Sequence, residues 1–306
     1  MSRTSLSQCN SNGTLQECLA CEKKAIWVAV YANFTLAIFK AFIGIVSGSM
    51  AMLGDALFSF KDFIASLVGV IGIRVSGKPA DEQHPYGHGK VEFVALFLIS
   101  MGLLLATLFL LFHSLKGIWH CSQGFGRAPK LVVFGAALIS VVANYKLVQY
   151  LSCVGDRQKS HAIRANTRQN HSGALSSIMV AVAILGARLG YVFLDPLVAL
   201  VEAVCLLFMG RDMFLSALKG LFDSAAPAAT VERIESVARI VPGVRKVAKI
   251  VVRQQGQGLW IEMMIKIDPD LTHQEGYLIG LHVKESILAT FGNKTTVNVS
   301  FEPYMP

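Results

Sequence analysis

Charged residues are scarce in this sequence. Asp, Glu, Lys and Arg make up 16% of the 306 residues, whereas hydrophobic residues make up 53%. This composition excludes an ordinary soluble α/β protein of this length and is typical of a protein that crosses a membrane several times. The formal net charge is +8, but the basic residues are scattered between apolar segments and form no stripe with aromatic residues. Nucleic-acid binding is therefore not expected, and the basic residues are interpreted as signals of membrane topology.

Cysteine is sparse as well, and the six cysteines are too dispersed for a disulfide framework. Only Cys18 and Cys21 form a C-x-x-C pair. This pair could hold a metal if another chain supplied more thiolates, because a structural zinc site takes four ligands. The alternative is a reduced pair on a cytoplasmic helix. The polar N-terminus has no signal-peptide core, so we expect the chain to be anchored by its own spans without a cleaved leader.

Long apolar segments dominate the chain up to residue 222. A transmembrane helix needs roughly 20 mostly apolar residues, and six segments approach that length. They cover about Ile26–Val46, Met50–Val75, Phe93–Trp119, Leu131–Tyr150, Ala174–Phe193 and Pro196–Leu215. Lys and Arg concentrate in the N-terminal tail and in the loops after the second and fourth segments. Because such loops stay in the cytoplasm, we predict six spans with both termini cytoplasmic.

The sequence pattern changes after Asp223. Residues 230–241 and 271–291 have the pattern of helices, and three segments alternate like strands. Their order predicts a small α+β domain of αββαβ, ferredoxin-like type. The fold class is therefore an α-helical membrane protein with six transmembrane helices and a C-terminal cytoplasmic domain. The predicted divisions are a cytoplasmic tail at 1–25, a transmembrane domain at 26–222 and a dimerisation domain at 223–306.

Several stretches carry a resemblance to a known family. The second span reads SGSMAMLGDALFSFKDFIASL and is followed by SGKPADEQHPYGHGKVEF. With ANTRQNHSGALSS at the fifth span and GLFDSAAP after the sixth, these stretches resemble the cation diffusion facilitators, which exchange divalent metals for protons. CLACEKK and GLWIEMMIKIDPD extend the resemblance to the magnetosome branch, the MamB-, MamM- and MamV-like proteins of magnetotactic bacteria.

The resemblance implies an oligomeric state, a membrane and a substrate for this protein. It implies a homodimer, or a heterodimer with a related facilitator, in the magnetosome membrane or the bacterial inner membrane. The implied substrate is a divalent metal, Fe, Mn or Zn, with Fe favoured. No nucleophile–base pair or phosphate-binding loop is visible in the sequence, so an enzyme is not expected.

The resemblance also implies a mid-membrane metal site, with an i, i+4 pair of ligands on each of two helices. The pairs fall on Phe58 and Asp62 in the second span and on Gln169 and Gly173 in the fifth. Asp62 alone is a strong ligand, and Gln169 is a weak neutral donor. Because disturbing even an outer partner of a ligand costs ~10–100-fold in affinity, we expect the usual tetrahedral site to be absent. Lys61 is expected to point away from Asp62, since helix neighbours are about 100° apart.

Other polar residues could form a substitute site. The candidate ligands are Asp55, Glu202, Asn170 and His171. Carboxylate and amide oxygens suit Mn or Fe(II) better than Zn. Carboxylates inside a membrane cost roughly 2.5–3.5 kcal/mol on insertion scales and indicate a function. The alternative is that these residues are polar caps and make interhelical hydrogen bonds, and for Asp55 a structural role of this kind is favoured.

A third candidate lies in the loop after the second span. Asp81, His84 and His88 place a carboxylate and two imidazoles at metal-ligand spacing. A purely structural loop, shaped by its proline and glycines, is the alternative. The resemblance further implies that Lys90 and Asp223 form a charge interlock near the cytoplasmic face of the membrane.

The cytoplasmic domain lacks the histidines with which relatives bind regulatory metal. Trp260 and Glu262 match a pair of the magnetosome branch and could hold a metal across a two-fold axis; the alternative for Trp260 is interface packing. His273 and His282 are expected on the solvated surface. The usual histidine positions are occupied instead by Lys249, Met264, Tyr277 and Ser300.

Two functions are compatible with this sequence. One is an iron-type cation/proton antiporter with a degenerate transport site. The other is a transport-incompetent paralogue that acts as a structural or regulatory partner of an active relative.

Overall fold

The computed structural model describes residues 15–75, 81–85, 87–125, 128–158, 161–255, 258–292 and 295–305. The chain divides into two compact units. One comprises Met1–Val70 with Leu98–Phe214, and the other comprises Ile71–Phe97 with Leu215–Pro306. The mid-membrane candidates fall in the first unit, and the loop and cytoplasmic candidates fall in the second.

The described residues form six long helices before the cytoplasmic domain, as predicted. They are α1 (Leu15–Ser47), α2 (Met50–Val75), α3 (Val91–Ser122), α4 (Val132–Gln158), α5 (His161–Arg188) and α6 (Leu194–Leu221). Within the described residues, segments of α1, α3, α4 and α5 are long and apolar enough to cross a membrane. Helices α2 and α6 carry more charged residues, among them Asp55, Asp62 and Glu202 of the candidate site.

Several helix ends differ from the prediction: α4 and α6 extend beyond the predicted ends to Gln158 and Leu221, and α5 begins at His161 and not near Ala174. Helix α1 begins at Leu15, upstream of the apolar segment, because the polar residues before Ile26 continue the helix. Helix α5 ends at Arg188 and not near Phe193. Gly190 has a φ of 105° in the turn that follows, and this left-handed conformation ends the helix.

Small residues line the contacts between the helices. Ala25 and Ala29 of α1 pack against Leu147 and Leu151 of α4. Ala51 of α2 packs in a second cluster formed with α4 and α5. Small side chains let helix backbones approach closely, which replaces the hydrophobic driving force that is absent in lipid. In the interior of the helical bundle, polar side chains of α1, α2, α5 and α6 contact one another.

The short turn between α1 and α2 is held by the start of α6. Gly48 adopts a φ of 71° in this turn. The Asp195 carboxylate accepts hydrogen bonds from Ser49 Oγ at 2.5 Å and from the Met50 backbone N–H at 2.8 Å. It thereby satisfies donors at the N-terminus of α2. This cap fixes α2 against α6, the two helices that carry the buried carboxylates.

The cytoplasmic domain has the predicted αββαβ order. Its elements are α7 (Ala228–Ile240), β1 (Lys246–Gln255), β2 (Gly258–Ile267), α8 (His273–Phe291) and β3 (Thr296–Pro303). The sheet order is β1-β2-β3, with β1 antiparallel and β3 parallel to β2. The parallel pair needs a crossover, which α8 provides.

One face of this sheet is buried and the other is open. Ile261, Ile265 and Val297 point inward against Ile234 of α7 and Ile287 of α8. Because side chains alternate along a strand, the intervening residues lie on the opposite face. These include Lys249, Glu262, Asn298 and Ser300, all exposed.

Candidate functional site

The structure brings Asp62 of α2 and Gly173 of α5 together, two positions of the implied quartet. Asp62 is buried, and a Cβ built on Gly173 would lie 2.9 Å from Asp62 Oδ2. Phe58 is buried one turn before Asp62. The side chain of Gln169 lies outside the described residues. The two helices therefore meet where the family pattern puts them, and Asp62 is the one strong ligand among the described positions.

The prediction for Lys61 is wrong. Lys61 Nζ lies 2.9 Å from Asp62 Oδ1, and both side chains are buried. Helix geometry places the two Cβ atoms far apart around α2, but the long lysine side chain turns back to its neighbour. The reason is that a buried ammonium needs a counter-charge, and in an apolar interior the nearest carboxylate supplies it.

Asp55 forms a second buried ion pair, with Lys40 of α1. Lys40 Nζ lies 2.9 Å from Asp55 Oδ1 and donates hydrogen bonds to Ser59 Oγ at 2.9 Å and Ser177 Oγ at 3.0 Å. Ser177 Oγ also donates to Asp55 Oδ2 at 2.8 Å. These contacts give Asp55 the hydrogen-bonding role favoured from the sequence.

Glu202 of α6 reaches the same region through Ser176. Ser176 Oγ lies 2.9 Å from Asp55 Oδ1 and 2.5 Å from Glu202 Oε1. The second carboxylate oxygen of Glu202, Oε2, is buried and has no hydrogen-bond partner among the described residues. It lies over Gly54 of α2, whose missing side chain leaves the room for it. Asp55 and Glu202, both candidate substitute ligands, are thus bridged by one hydroxyl.

The other two candidate substitute ligands do not join this group in the same way. Asn170 is buried on α5, whereas His171 is exposed. Successive helix residues point about 100° apart, so the face of α5 that carries Asn170, Gly173 and Ser177 excludes His171. His171 therefore lies away from the buried group, and its role as a ligand stays a prediction.

Sequence reasoning missed Lys40, Ser176 and Ser177. A signal existed for Lys40, since a lysine inside an apolar segment is an intramembrane charge and indicates a function or a partner. The serines gave no comparable signal, because serine is common in transmembrane helices and also bonds its own backbone.

The loop after α2 brings Asp81, His84 and His88 together. Their ligand atoms all lie within 4.8 Å of one another. Asp81 Oδ1 is 3.2 Å from His84 Nδ1, and Asp81 Oδ2 is 3.4 Å from His88 Nε2. The backbone N–H of His84 donates to the Asp81 carboxylate and is the main reason why the pKa of Asp81 is lowered. One carboxylate and two imidazoles fit a borderline divalent cation that completes its shell with water.

Lys90 and Asp223 form an ion pair, as the resemblance implies. Lys90 Nζ donates to Asp223 Oδ2 at 2.8 Å, and Arg253 Nη1 donates to the same oxygen at 3.1 Å. The hydrogen bond from Lys90 is the largest cause of the lowered pKa of Asp223. Asp223 has a φ of 51°, in the left-handed region that Asn tolerates better than most residues. Lys90, Asp223, Arg253, His84 and His88 line a common cavity of about 290 Å³.

The Asp223→Asn variant of the full chain is expected to unfold at a lower temperature than the wild type at pH 7. Asn keeps the left-handed backbone but loses both ion pairs, which are partly exposed and together stabilise by about 1 kcal/mol. Because the folded-state pKa of Asp223 is lowered, this stability is present above its unfolded pKa of about 3.9 and lost as the pH falls through the folded value. Thermal melts in detergent at pH 7 and pH 3 measure it. A difference between the two proteins that is equally large at pH 3 would contradict the ionic origin.

The open face of the cytoplasmic sheet carries the Trp260–Glu262 pair. Trp260 Nε1 donates to Glu262 Oε1 at 2.8 Å, and the Arg253 guanidinium lies 5.1 Å from the centre of the Trp260 ring. Glu262 stands beside Asn298 on the neighbouring strand. An exposed carboxylate and an amide offer oxygen ligands that a second copy of the sheet could complete. His273 and His282 are exposed, as expected.

Comparisons with known proteins find relatives for both parts of the chain. The family model for the cation efflux transmembrane domain matches residues 26–222, and the model for the cytoplasmic domain of cation efflux proteins matches residues 226–304. Magnetosome protein MamM of Paramagnetospirillum magneticum is 37% identical over 286 residues, which covers 93% of this chain and 89% of that protein. Magnetosome protein MamB of Magnetospira sp. is 30% identical and covers 95% of this chain and 98% of that protein. A solved C-terminal domain of MamM in a nickel form is 30% identical over 26% of this chain and 100% of that domain, with a TM-score of 0.25.

Proposed function

The chain belongs to the cation efflux family of membrane transporters, and from that premise we propose that it is an antiporter of divalent, iron-type cations and protons. It works as a dimer in the magnetosome membrane or the bacterial inner membrane, with six spans and both termini in the cytoplasm. The substrate crosses by way of a modified site, since the usual quartet keeps Asp62 as its one strong ligand among the described residues.

The observation that carries this proposal is the open oxygen of Glu202. Buried polar atoms are nearly always hydrogen-bonded, and one without a partner calls for an explanation. Glu202 Oε2 lies in a space that Gly54 leaves free. Asp55 is on the other side of Ser176. The open Glu202 carboxylate and the Ser176 hydroxyl, which it shares with the Lys40-paired Asp55, form an oxygen-rich set, which suits Fe(II) or Mn better than Zn.

The Ser176 bridge supports exchange for protons. A serine hydroxyl has one hydrogen and can donate it to one of the two carboxyl groups. Two short contacts from Ser176 Oγ, to Asp55 and to Glu202, therefore need a second hydrogen, which a protonated carboxyl group supplies. A divalent cation that binds at Glu202 takes over this role and releases the proton. The proton and the metal ion then cannot occupy the site at the same time, as antiport requires.

Two peripheral groups extend the proposal to the cytoplasmic side. Asp81, His84 and His88 hold a divalent ion on the cytoplasmic side, and Trp260 with Glu262 holds one across the dimer axis of the cytoplasmic sheet. The second ion binds weakly, because the four usual histidine positions are Lys249, Met264, Tyr277 and Ser300.

A second function is favoured by the two buried ion pairs. Lys61 neutralises Asp62 and Lys40 neutralises Asp55, so neither carboxylate of α2 is free for metal. In this alternative the chain does not transport; it stabilises or regulates an active relative as the other half of a heterodimer.

Reconstitution separates the two functions. Proteoliposomes with an internal fluorescent chelator and a pH dye hold this chain alone, a relative with a complete ligand quartet alone, or both together. The antiporter proposal expects Fe(II) or Mn uptake and proton release by this chain alone. No flux by this chain, together with higher flux of the mixture than of the relative alone, would contradict it and support the partner role.

A further inference from the structure

The ammonium group of Lys61 lies where a bound cation would lie. Its Nζ is 2.9 Å from Asp62 Oδ1, 3.5 Å from Ser172 Oγ of α5 and 3.9 Å from Met209 Sδ of α6. The centre of the Phe58 ring is 5.4 Å away. The ammonium thus contacts a carboxylate, a hydroxyl, a thioether and an aromatic face, which come from three helices.

This position coincides with the implied quartet. Phe58 and Asp62 are its two positions on α2. Gly173 faces the other Asp62 oxygen, Oδ2, and Ser172 is its sequence neighbour. Lys61 therefore approaches Asp62 from one side, while the α5 position that would supply a further ligand is open on the other.

The buried Lys40 provides an internal comparison. Its ammonium has three oxygen partners at 2.9–3.0 Å, on Asp55, Ser59 and Ser177. An ammonium has three donors, so Lys40 is fully satisfied and fixed. Lys61 has one close oxygen neighbour, Asp62 Oδ1, in an ion-pair contact without hydrogen-bond geometry, and its other two polar contacts are long. The Lys61 ammonium is held loosely at a metal position and therefore substitutes for a metal ion there. The Lys40–Asp55 ion pair instead joins α1 to α2.

We propose that the Lys61 ammonium is a built-in cation, which occupies the conventional metal position beside Asp62 and excludes divalent ions from it. The Asp62 carboxylate is neutralised without a metal, so the helices around it keep the arrangement of a filled site. A divalent ion at Asp62 would stand next to an ammonium in a buried region, and this repulsion prevents binding. The proposal concerns Asp62 alone and holds whether or not ions move past Glu202.

The proposal has a consequence for reconstruction of the quartet. The substitutions Phe58→Asp, Gln169→His and Gly173→Asp restore four ligands in sequence terms. With Lys61 in place, this triple variant is expected to bind Cd²⁺ or Mn²⁺ only weakly, because Asp62 is already paired. Adding Lys61→Met is expected to tighten binding by about 10-fold or more, since it removes a like charge beside the metal and keeps the apolar stem.

Equilibrium dialysis of the purified full-length variants in detergent measures this. The triple variant with Lys61→Arg is the matched control. It keeps a positive charge beside Asp62, so its metal binding must stay weak. The triple variant with Lys61→Met and Asp62→Asn must lose the gained affinity. Tight binding by the triple variant with Lys61 unchanged would overturn the proposal, because the lysine would then simply move aside.

Thermal unfolding of variants without the three quartet substitutions provides a second test, which does not depend on reconstruction of the quartet. Lys61→Met alone leaves Asp62 unpaired, and its melting temperature is expected to fall by about 5 °C or more. The double variant Lys61→Met with Asp62→Leu removes both charges and is expected to recover most of that loss. Equal melting temperatures for the wild type and Lys61→Met would overturn the proposal, since the ammonium would then not neutralise Asp62.

Discussion

The Gly54→Ala variant is expected to lose about 10- to 100-fold of the wild-type cation flux. A Cβ on Gly54 would overlap Glu202 Oε2, so the carboxylate must leave the position in which it shares Ser176 with Asp55. Elsewhere in a helix, replacing Gly by Ala is favourable by up to about 1 kcal/mol. A loss of flux without a loss of folded protein would therefore come from the displaced carboxylate.

Gly102→Ala is the matched control for this variant. Gly102 also lies inside a helix, α3, and nothing stands within 4 Å of a Cβ built on it. This variant should transport like the wild type in the same liposome assay. The double variant Gly54→Ala with Glu202→Asp shortens the displaced side chain and is expected to recover part of the flux. Full flux from Gly54→Ala would show that the position of Glu202 does not matter for transport.

The Ile261→Ala variant of the cytoplasmic domain, residues 223–306, is expected to lose about 2–5 kcal/mol of its free energy of unfolding. Ile261 is completely buried in the centre of the sheet, and its hydrophobic cluster draws on residues from Ala226 to Phe301 alone. We therefore expect these residues to fold without the membrane region. A small domain has about 5–15 kcal/mol in total, so the variant should be close to unfolded at 37 °C.

Urea denaturation followed by circular dichroism tests this expectation. Ile240→Ala is the control, because Ile240 ends α7 with 81% of its surface exposed, and its removal should change the stability by less than about 0.5 kcal/mol. Equal midpoints for Ile261→Ala and Ile240→Ala would contradict the assignment of the core.

The helices and the small domain were predictable from local patterns. Apolar length indicated the six helices, and period-two alternation in residues 244–254 and 259–267 indicated the hairpin that the structure forms as β1 and β2. These inferences succeed because they depend on the backbone period of an element, which the sequence expresses directly. The pairing of Asp62 with Gly173 came instead from the family resemblance, since no local period says which two helices face each other; the structure brings the two positions together.

The charge pairing inside the membrane was not predictable in the same way. The angle between helix neighbours describes the Cβ directions of Lys61 and Asp62, but a lysine side chain can bend back along the helix to a buried carboxylate. The pairing of Lys40 with Asp55 depends on how α1 packs against α2. Likewise, Glu202 and Asp55 were candidates separately, and the packing of α6 against α2 and α5 brings both to Ser176.

Which carboxylate carries the cations is the central question, and one flux comparison answers it most directly. Mn uptake with proton release is measured in liposomes for the wild type, for Glu202→Gln, and for the pair Lys61→Met with Asp62→Asn, which removes both charges together. We predict that Glu202→Gln reduces the flux about 10-fold or more, since a neutral amide cannot exchange a proton for a metal. The charge-free pair should keep flux near the wild-type rate. Loss of flux in the pair, with flux retained in Glu202→Gln, would contradict the proposed site and return the route to Asp62.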